Sequence, residues 1–305
     1  MTERAVSIGA DRGLVGILSE PEDAASGRRP AVIMLNAGLI HRVGPNRLHV
    51  RLARRLEAAG FVAVRLDLSG RGDSEPRRDG LSFVESGMLE TAETMTYLES
   101  TKGIRRFVLV GICSGAFTAG QVAYGDHRVV GAVIIEGAAF PTRRFFVRYY
   151  GKRLFRKTTW LNTVTGANGV GRRIRGMLGR PIAVPAQGDM MDGLAIPELS
   201  QAVTAVVLQQ MADRPVDLLT MFSGSTKEYN YEGQLRAAFP TVDFRGRLDE
   251  AYYPRADHTF TRLREQEALV NRILAWMKVK FAEPVYPDQY SDELVAASTP
   301  EDLLL

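Results

Sequence analysis

Phe107-Val108-Leu109-Val110-Gly111-Ile112-Cys113-Ser114-Gly115 is the stretch on which the reading of this chain turns. Its apolar start fits a strand buried on both faces, a Gly-x-Cys-x-Gly turn follows, and Ala116 to Tyr124 reads as a helix beyond it. A nucleophile held on a sharp strand-to-helix turn needs small residues two positions before and after it, because side chains there collide with neighbouring backbone. Gly111 and Gly115 meet that need around Cys113 rather than around Ser114, so Cys113 is the preferred nucleophile and Ser114 its rival. The following helix aims its N-terminal dipole and free backbone N–H groups at the thiol, which favours the reactive thiolate and makes the Ser114 N–H one oxyanion donor. The plain alternative is a small cysteine buried in a glycine-rich turn, and the surrounding elements weigh against it.

Working outward, Val6 to Ile8 and Leu14 to Leu18 read as an N-terminal antiparallel hairpin. Ala31 to Leu35 is a doubly buried strand, Leu48, Leu52 and Leu56 mark a helix closed by Gly60, and Phe61 to Leu66 is the next strand. Ser86 to Ser100 is helical, Val129 to Ile135 is a strand, and Val216 to Phe222 is another. The alternation predicts an α/β fold: a mostly parallel central sheet flanked by helices. Val242 to Leu248 reads as the last strand and Thr261 to Phe281 as a closing amphipathic helix. The break in alternation predicts a helical cap over 137–213, inserted in a core formed by 1–136 and 214–283, with an acidic tail over 284–305.

With 305 residues, 45% of them hydrophobic and 24% charged, the chain has ample core-forming material and is not disordered. A net charge of +4 is too small to imply nucleic-acid binding. The single cysteine rules out an internal disulfide and a multi-cysteine zinc site, and no metal or cofactor is expected. The N-terminus has no signal-peptide pattern, and the uncharged run Phe107 to Gly125 is broken by four glycines, so a cytoplasmic chain without a transmembrane segment is expected.

Asp67-Leu68-Ser69-Gly70-Arg71-Gly72-Asp73-Ser74 resembles the D-x-x-G-x-G-x-S loop of the α/β-hydrolase superfamily, and Gly111-Ile112-Cys113-Ser114-Gly115 resembles its G-x-S-x-G elbow with cysteine in the serine position. Asn36-Ala37-Gly38-Leu39-Ile40-His41 is similar to the oxyanion loop of serine-aminopeptidase-like and exosortase-associated hydrolases. Ala256-Asp257-His258-Thr259-Phe260 resembles their catalytic-histidine segment, and the likeness extends to Phe281. A cysteine at the elbow is similar to dienelactone hydrolases and to some natural-product thioesterases.

The resemblance implies an α/β-hydrolase fold with His258 as base and a second oxyanion donor at the backbone N–H of Gly38 or Leu39, here assigned to Leu39. Asn36 either holds the oxyanion loop or touches substrate, and His41 is either a substrate contact or a hydrogen-bonded loop histidine, while His49 and His127 have no mechanistic position. The family's usual aspartate after the seventh strand is missing from Ser223-Gly224-Ser225-Thr226-Lys227-Glu228. Glu228 is the favoured acid, Glu136 at the end of the sixth strand is the alternative, and Glu232 or no acid is the remainder.

Gly137 to Gly188 holds eleven Arg or Lys and no Asp or Glu, against a whole-chain surplus of only four. Aromatics interleave with these cations, so the cap is either a cover with a solvated basic face or a docking face for an acyl carrier protein or a coenzyme A arm. The expected function is ester or thioester hydrolysis, or acyl transfer, on a hydrophobic small-molecule acyl substrate. Elimination or rearrangement in the same pocket, and a non-catalytic binding protein, are the alternatives.

Overall fold

The computed structural model describes residues 2–9, 13–22, 29–154 and 200–281. An eight-stranded sheet runs in the order β1-β2-β4-β3-β5-β6-β7-β8. Its strands are β1 (Thr2–Ile8), β2 (Leu14–Glu20), β3 (Ala31–Met34), β4 (Ala63–Asp67), β5 (Phe107–Ile112), β6 (Val129–Ile135), β7 (Asp217–Ser223) and β8 (Leu248–Tyr253). β2 is antiparallel to both its neighbours, and every pairing from β4 through β8 is parallel. The apolar runs read as doubly buried strands are just that: β3 and β5 are buried at every position.

Two core layers follow from this pleat. On one face Leu48, Leu52 and Leu56 of α1 (Leu48–Ala58) and Leu269, Ile273 and Met277 of the last helix pack on Val108, Val110 and Val133. On the other, Met95 and Leu98 of α2 (Phe83–Lys102) and Ala119 and Val122 of α3 (Ser114–Gly125) pack on Leu109, Ile33 and Val64. Alternate side chains of one strand thus serve opposite layers.

Three sequence boundaries shift. The last strand is Leu248–Tyr253 rather than Val242 to Leu248. Arg245 (φ 49°) and Gly246 (φ 72°) turn the chain in the left-handed region, where a strand cannot continue, while Phe244 is buried below that turn. The short helix Gln234–Ala238 (α6) has no counterpart in the sequence reading. The predicted cap over 137–213 retains two described helices, α4 (Arg143–Leu154) and α5 (Gln201–Asp213), and the part between them lies outside the described residues, as does the acidic tail. α5 buries Leu208 and Met211 in the same core layer as α3, so this end of the segment packs with the core. The closing helix is α7 (Leu263–Phe281), and no helix among the described residues is long and apolar enough to cross a membrane.

Candidate active site

The carboxyl ends of β5 and β6 lie in register, Ile112 beside Ile135, so Cys113 and Glu136 leave adjacent strands at one level. Cys113 adopts φ 57° and ψ −117°, a conformation that costs a non-glycine residue of order 1–3 kcal/mol and persists only where the surroundings impose it. Here its N–H donates to Ile135 O at 2.9 Å, and its carbonyl accepts from Ala116 N at 3.0 Å. The glycine requirement is steric. A Cβ at Gly111 would lie 2.0 Å from Gly115 O, and one at Gly115 would lie 2.5 Å from Asn36 O, both backbone atoms that cannot swing aside.

Cys113 is partly exposed, and its side chain is the largest influence on the His258 imidazole. The imidazole Nδ1 lies 3.0 Å from Glu136 Oε2, which leaves Nε2 for the sulfur. The bond to Cys113 and then the bond to Glu136 push the His258 pKa up to about 10, against desolvation that lowers it. His258 retains 40% of its side-chain exposure while Glu136 retains 1%, so an accessible imidazole stands against a sealed carboxylate.

The carboxylate on His258 is therefore that of Glu136, and the preference for Glu228 is corrected. The β7 loop, expected to supply the acid, supplies donors to it instead: Ser223 N–H and the Thr226 hydroxyl both bond the Glu136 carboxylate. Glu136 itself sits at φ 53° with its N–H on Met221 O at 2.9 Å, so the strand end turns sharply as it leaves the sheet. Glu228 lies in the turn before Tyr229, its carbonyl accepting from Gln234 Nε2, and Glu232 is exposed. Nothing in the linear pattern marks Ser223 or Thr226 as partners of a residue on another strand.

The oxyanion loop is held from below. Asn36 is 1% exposed and fully engaged: Nδ2 donates to Ile40 O at 2.9 Å and to Asp67 Oδ1 at 3.2 Å, and Oδ1 accepts from Leu68 N at 2.7 Å. Of its two readings the hydrogen bonds fit the one in which it holds the loop, and not that of a substrate contact. Asp67, fully buried, also accepts from the Arg42 backbone and guanidinium and from Asp73 N at 3.2 Å. Gly72 is small because a Cβ there would fall 2.0 Å from Asp67 Oδ2, and Ser74 closes the loop onto Asp67 O at 2.6 Å. The D-x-x-G-x-G-x-S segment is thus a girder under the oxyanion loop.

Gly38 N–H donates to Ser114 Oγ at 2.7 Å, and Ser114 is fully buried, which places this hydroxyl in the loop's support rather than at the reacting position. Ile40 N–H donates to Ala37 O at 3.0 Å. Leu39, between the two, has a side chain that is 82% exposed. His41 is exposed in the turn closed by Gly44 N–H on His41 O at 2.9 Å. His49 is buried with no partner on either ring nitrogen, and burial lowers its pKa to about 4. No cluster of metal-ligating side chains occurs among the described residues.

Beside the site, α4 docks on the β7–α6 loop. Thr142 and Tyr231 share a hydrogen bond of 2.7 Å, Asn230 Nδ2 donates to Phe145 O at 3.1 Å, and the guanidinium carbons of Arg144 and Arg148 lie 4.6 and 5.5 Å from the Tyr231 ring centroid. These two exposed arginines of the basic segment lie within cation–π reach of one ring. Phe155, Arg156 and the cations that follow lie outside the described residues.

A sequence model of the alpha/beta hydrolase family matches residues 38–275. Among solved structures, a proline iminopeptidase from Mycobacterium smegmatis aligns with TM-score 0.52 and 16% identity, over 91% of this chain and 98% of that one. Est1E from Butyrivibrio proteoclasticus aligns with TM-score 0.54 and 13% identity, over 90% and 97%. DcsB, solved with its substrate analogue, aligns with TM-score 0.51 and 14% identity, over 91% and 99%. At these identities the likeness is one of fold. No curated protein matches the sequence.

Proposed function

The chain belongs to the alpha/beta hydrolase family, and from that premise we propose that it is a cysteine hydrolase acting on ester or thioester bonds. The observation that carries this reading is the continuous chain from Cys113 through His258 to Glu136, with the nucleophile on a strained elbow at the N-terminus of α3. Cys113 Sγ passes its proton to His258 Nε2, attacks the acyl carbonyl and forms a C–S bond as the carbonyl π pair moves to oxygen, which becomes an oxyanion facing the N–H groups of Leu39 and Ser114. Collapse breaks the bond to the leaving group, which takes a proton from His258 Nε2. Water, deprotonated by the same nitrogen, then attacks the acyl-enzyme, releases the acid and restores the thiol. Acyl transfer replaces that water with another nucleophile.

The Glu136 pairing supports hydrolysis, because it gives the base the orienting acid that acyl transfer to water uses. A hydrophobic acyl group is supported by Leu39 and Ile40 exposed on the loop beside the elbow. Carrier-bound acyl groups remain a second reading, resting on the eleven cations from Gly137 to Gly188.

The test is intact-mass detection of an acyl adduct after exposure to p-nitrophenyl butyrate and to butyryl-coenzyme A. The wild type gains one butyryl group, Cys113→Ala gains none, and His258→Ala gains it at least about 100-fold more slowly. Turnover in ¹⁸O-water places label in the released acid. An unlabelled alkene product, or a wild type that never acylates, overturns the reading. Added salt that raises KM for the coenzyme A ester alone supports a charged docking face.

A further inference from the structure

Leu39 presents a problem of support. Its N–H is the proposed second oxyanion donor, yet its side chain is 82% exposed and anchors nothing. Gly38 before it has φ 56°, and a Cβ there would meet nothing within 4 Å, so this glycine is chosen for its backbone conformation and not for space. A peptide with so much freedom needs external bonds to hold its plane.

Those bonds come from two residues outside the loop. Arg71 Nε donates to Gly38 O at 2.8 Å, in the peptide that carries Leu39 N–H, and Ser114 Oγ accepts Gly38 N–H at 2.7 Å, which fixes the preceding peptide and so the other side of Gly38. The Gly38 carbonyl and the Leu39 N–H belong to one planar trans peptide and point in opposite directions, so a donor fixed on the oxygen fixes the direction of the N–H. The Arg71 guanidinium is itself held: Nη1 donates to Ser69 O at 3.1 Å, and its carbon lies 4.5 Å from the Phe83 ring centroid. Ser69 is tied in turn, its N–H on Oε2 of the fully buried Glu90 at 2.8 Å. A cation on the carbonyl also polarises the peptide and strengthens its N–H as a donor.

We propose that Arg71, with the Ser114 hydroxyl as its counterpart, is a positioning residue that orients and polarises the Gly38–Leu39 peptide for oxyanion binding. This rests on the acyl-enzyme reading above and adds a residue to it. Arg71 acts through the peptide and leaves the thiol untouched, so it separates two reactions of the same sulfur. Acylation by an ester develops an oxyanion; alkylation by iodoacetamide is a displacement at carbon and develops none.

The experiment compares both rate constants in wild type, Arg71→Gln, Arg71→Lys and Ser114→Ala, using p-nitrophenyl butyrate and iodoacetamide. Arg71→Gln is expected to slow acylation about 10- to 100-fold, with KM and the alkylation rate within about 2-fold of wild type. Arg71→Lys, which keeps the charge but not the bonding geometry, falls between, and Ser114→Ala follows the Arg71→Gln pattern more weakly. Methylguanidinium added to Arg71→Ala restores part of the acylation rate. Unchanged acylation in Arg71→Gln overturns the proposal, and so does an equal loss of both reactions, which marks a general collapse of the site. If Arg71→Gln does not fold, Arg71→Lys carries the same ratio test. A wild type that is alkylated but never acylated overturns the acyl-enzyme reading itself, and the proposal with it; acylation in wild type with no change in the ratio overturns the proposal alone.

Discussion

The exits of β5 and β6 are neighbours in the sheet and equally strained, with Cys113 at φ 57° and Glu136 at φ 53°, yet only the first announces itself in the sequence. At the β5 exit the constraints are local. Gly111 and Gly115 are small because of each other and of Asn36, so the requirement prints as a pattern five residues long. At the β6 exit the carboxylate is defined by Ser223, Thr226 and His258, which lie 87, 90 and 122 positions away in the chain. A site built by one turn is legible; a site built across three strands is legible only once register is known.

The largest effect that tests this contrast is on folding. Gly111→Ala puts a Cβ 2.0 Å from backbone, with no flexible atom to yield, and is expected to cost several kcal/mol and remove most soluble protein. Gly120→Ala, in α3 with nothing within 4 Å of the new Cβ, is expected to stabilise by up to about 1 kcal/mol through helix propensity. Thermal melts of the two variants check this. Equal behaviour would break the claim that the elbow glycines are steric.

Next comes the acid. Glu136→Gln leaves His258 Nδ1 without its carboxylate and is expected to lower kcat by about 10² to 10³, less than the loss seen for a serine nucleophile because a thiol relies less on its base. Glu228→Gln is expected to change kcat by no more than a few-fold. Steady-state kinetics on p-nitrophenyl butyrate decide between the two, and the reverse ranking would return the acid to the β7 loop.

The His258 titration sharpens the same comparison. Followed by NMR of the ring protons, its midpoint is expected near 10, to fall most in Cys113→Ala and less in Glu136→Gln, following the order of the two hydrogen bonds that raise it. Because the shift is upward, the stabilisation contributed by these bonds is complete below the ordinary value of 6.5 and is lost as pH rises through about 10. The Tm difference between wild type and Glu136→Gln should therefore narrow between pH 7 and pH 10. A constant difference would mean that the pairing is not linked to the proton.

What was legible elsewhere follows the same division. β5 carries its boundaries in the sequence because burial on both faces leaves an uninterrupted apolar run, and β6 keeps such a run with Val130 and Ile134 half-buried. The last strand was misplaced because Val242 and Phe244 alternate as a strand would, although the left-handed pair Arg245 and Gly246 turns the chain before β8 begins. The sequence leaves Asn36 open between holding its loop and touching substrate, because its burial against Asp67 and Leu68 depends on the β3–β4 pairing. The resemblance favours Glu228 on the β7 loop over the alternative Glu136, because that loop is the family's usual place for the acid and β6 offers no local mark beyond a glutamate at a strand end.

The smallest expected effect concerns how much of the acid's work stayed in the β7 loop. Thr226 donates its hydroxyl to the Glu136 carboxylate, and removing it in Thr226→Val takes away one of the bonds that hold the carboxylate against the imidazole. Thr226 is only half-buried and Ser223 N–H remains in place, so the loss should be near the lower end for a bond to a charged group, about 1 kcal/mol or roughly 5-fold in kcat, with KM unchanged. The decisive measurement is the double variant. If Thr226 acts only through Glu136, Glu136→Gln with Thr226→Val is no slower than Glu136→Gln alone, because the group it serves has already lost its charge. A further 5-fold loss in the double variant would show that Thr226 reaches the reaction by another route, and that the β7 loop contributes to the chemistry beyond supporting an acid carried on β6.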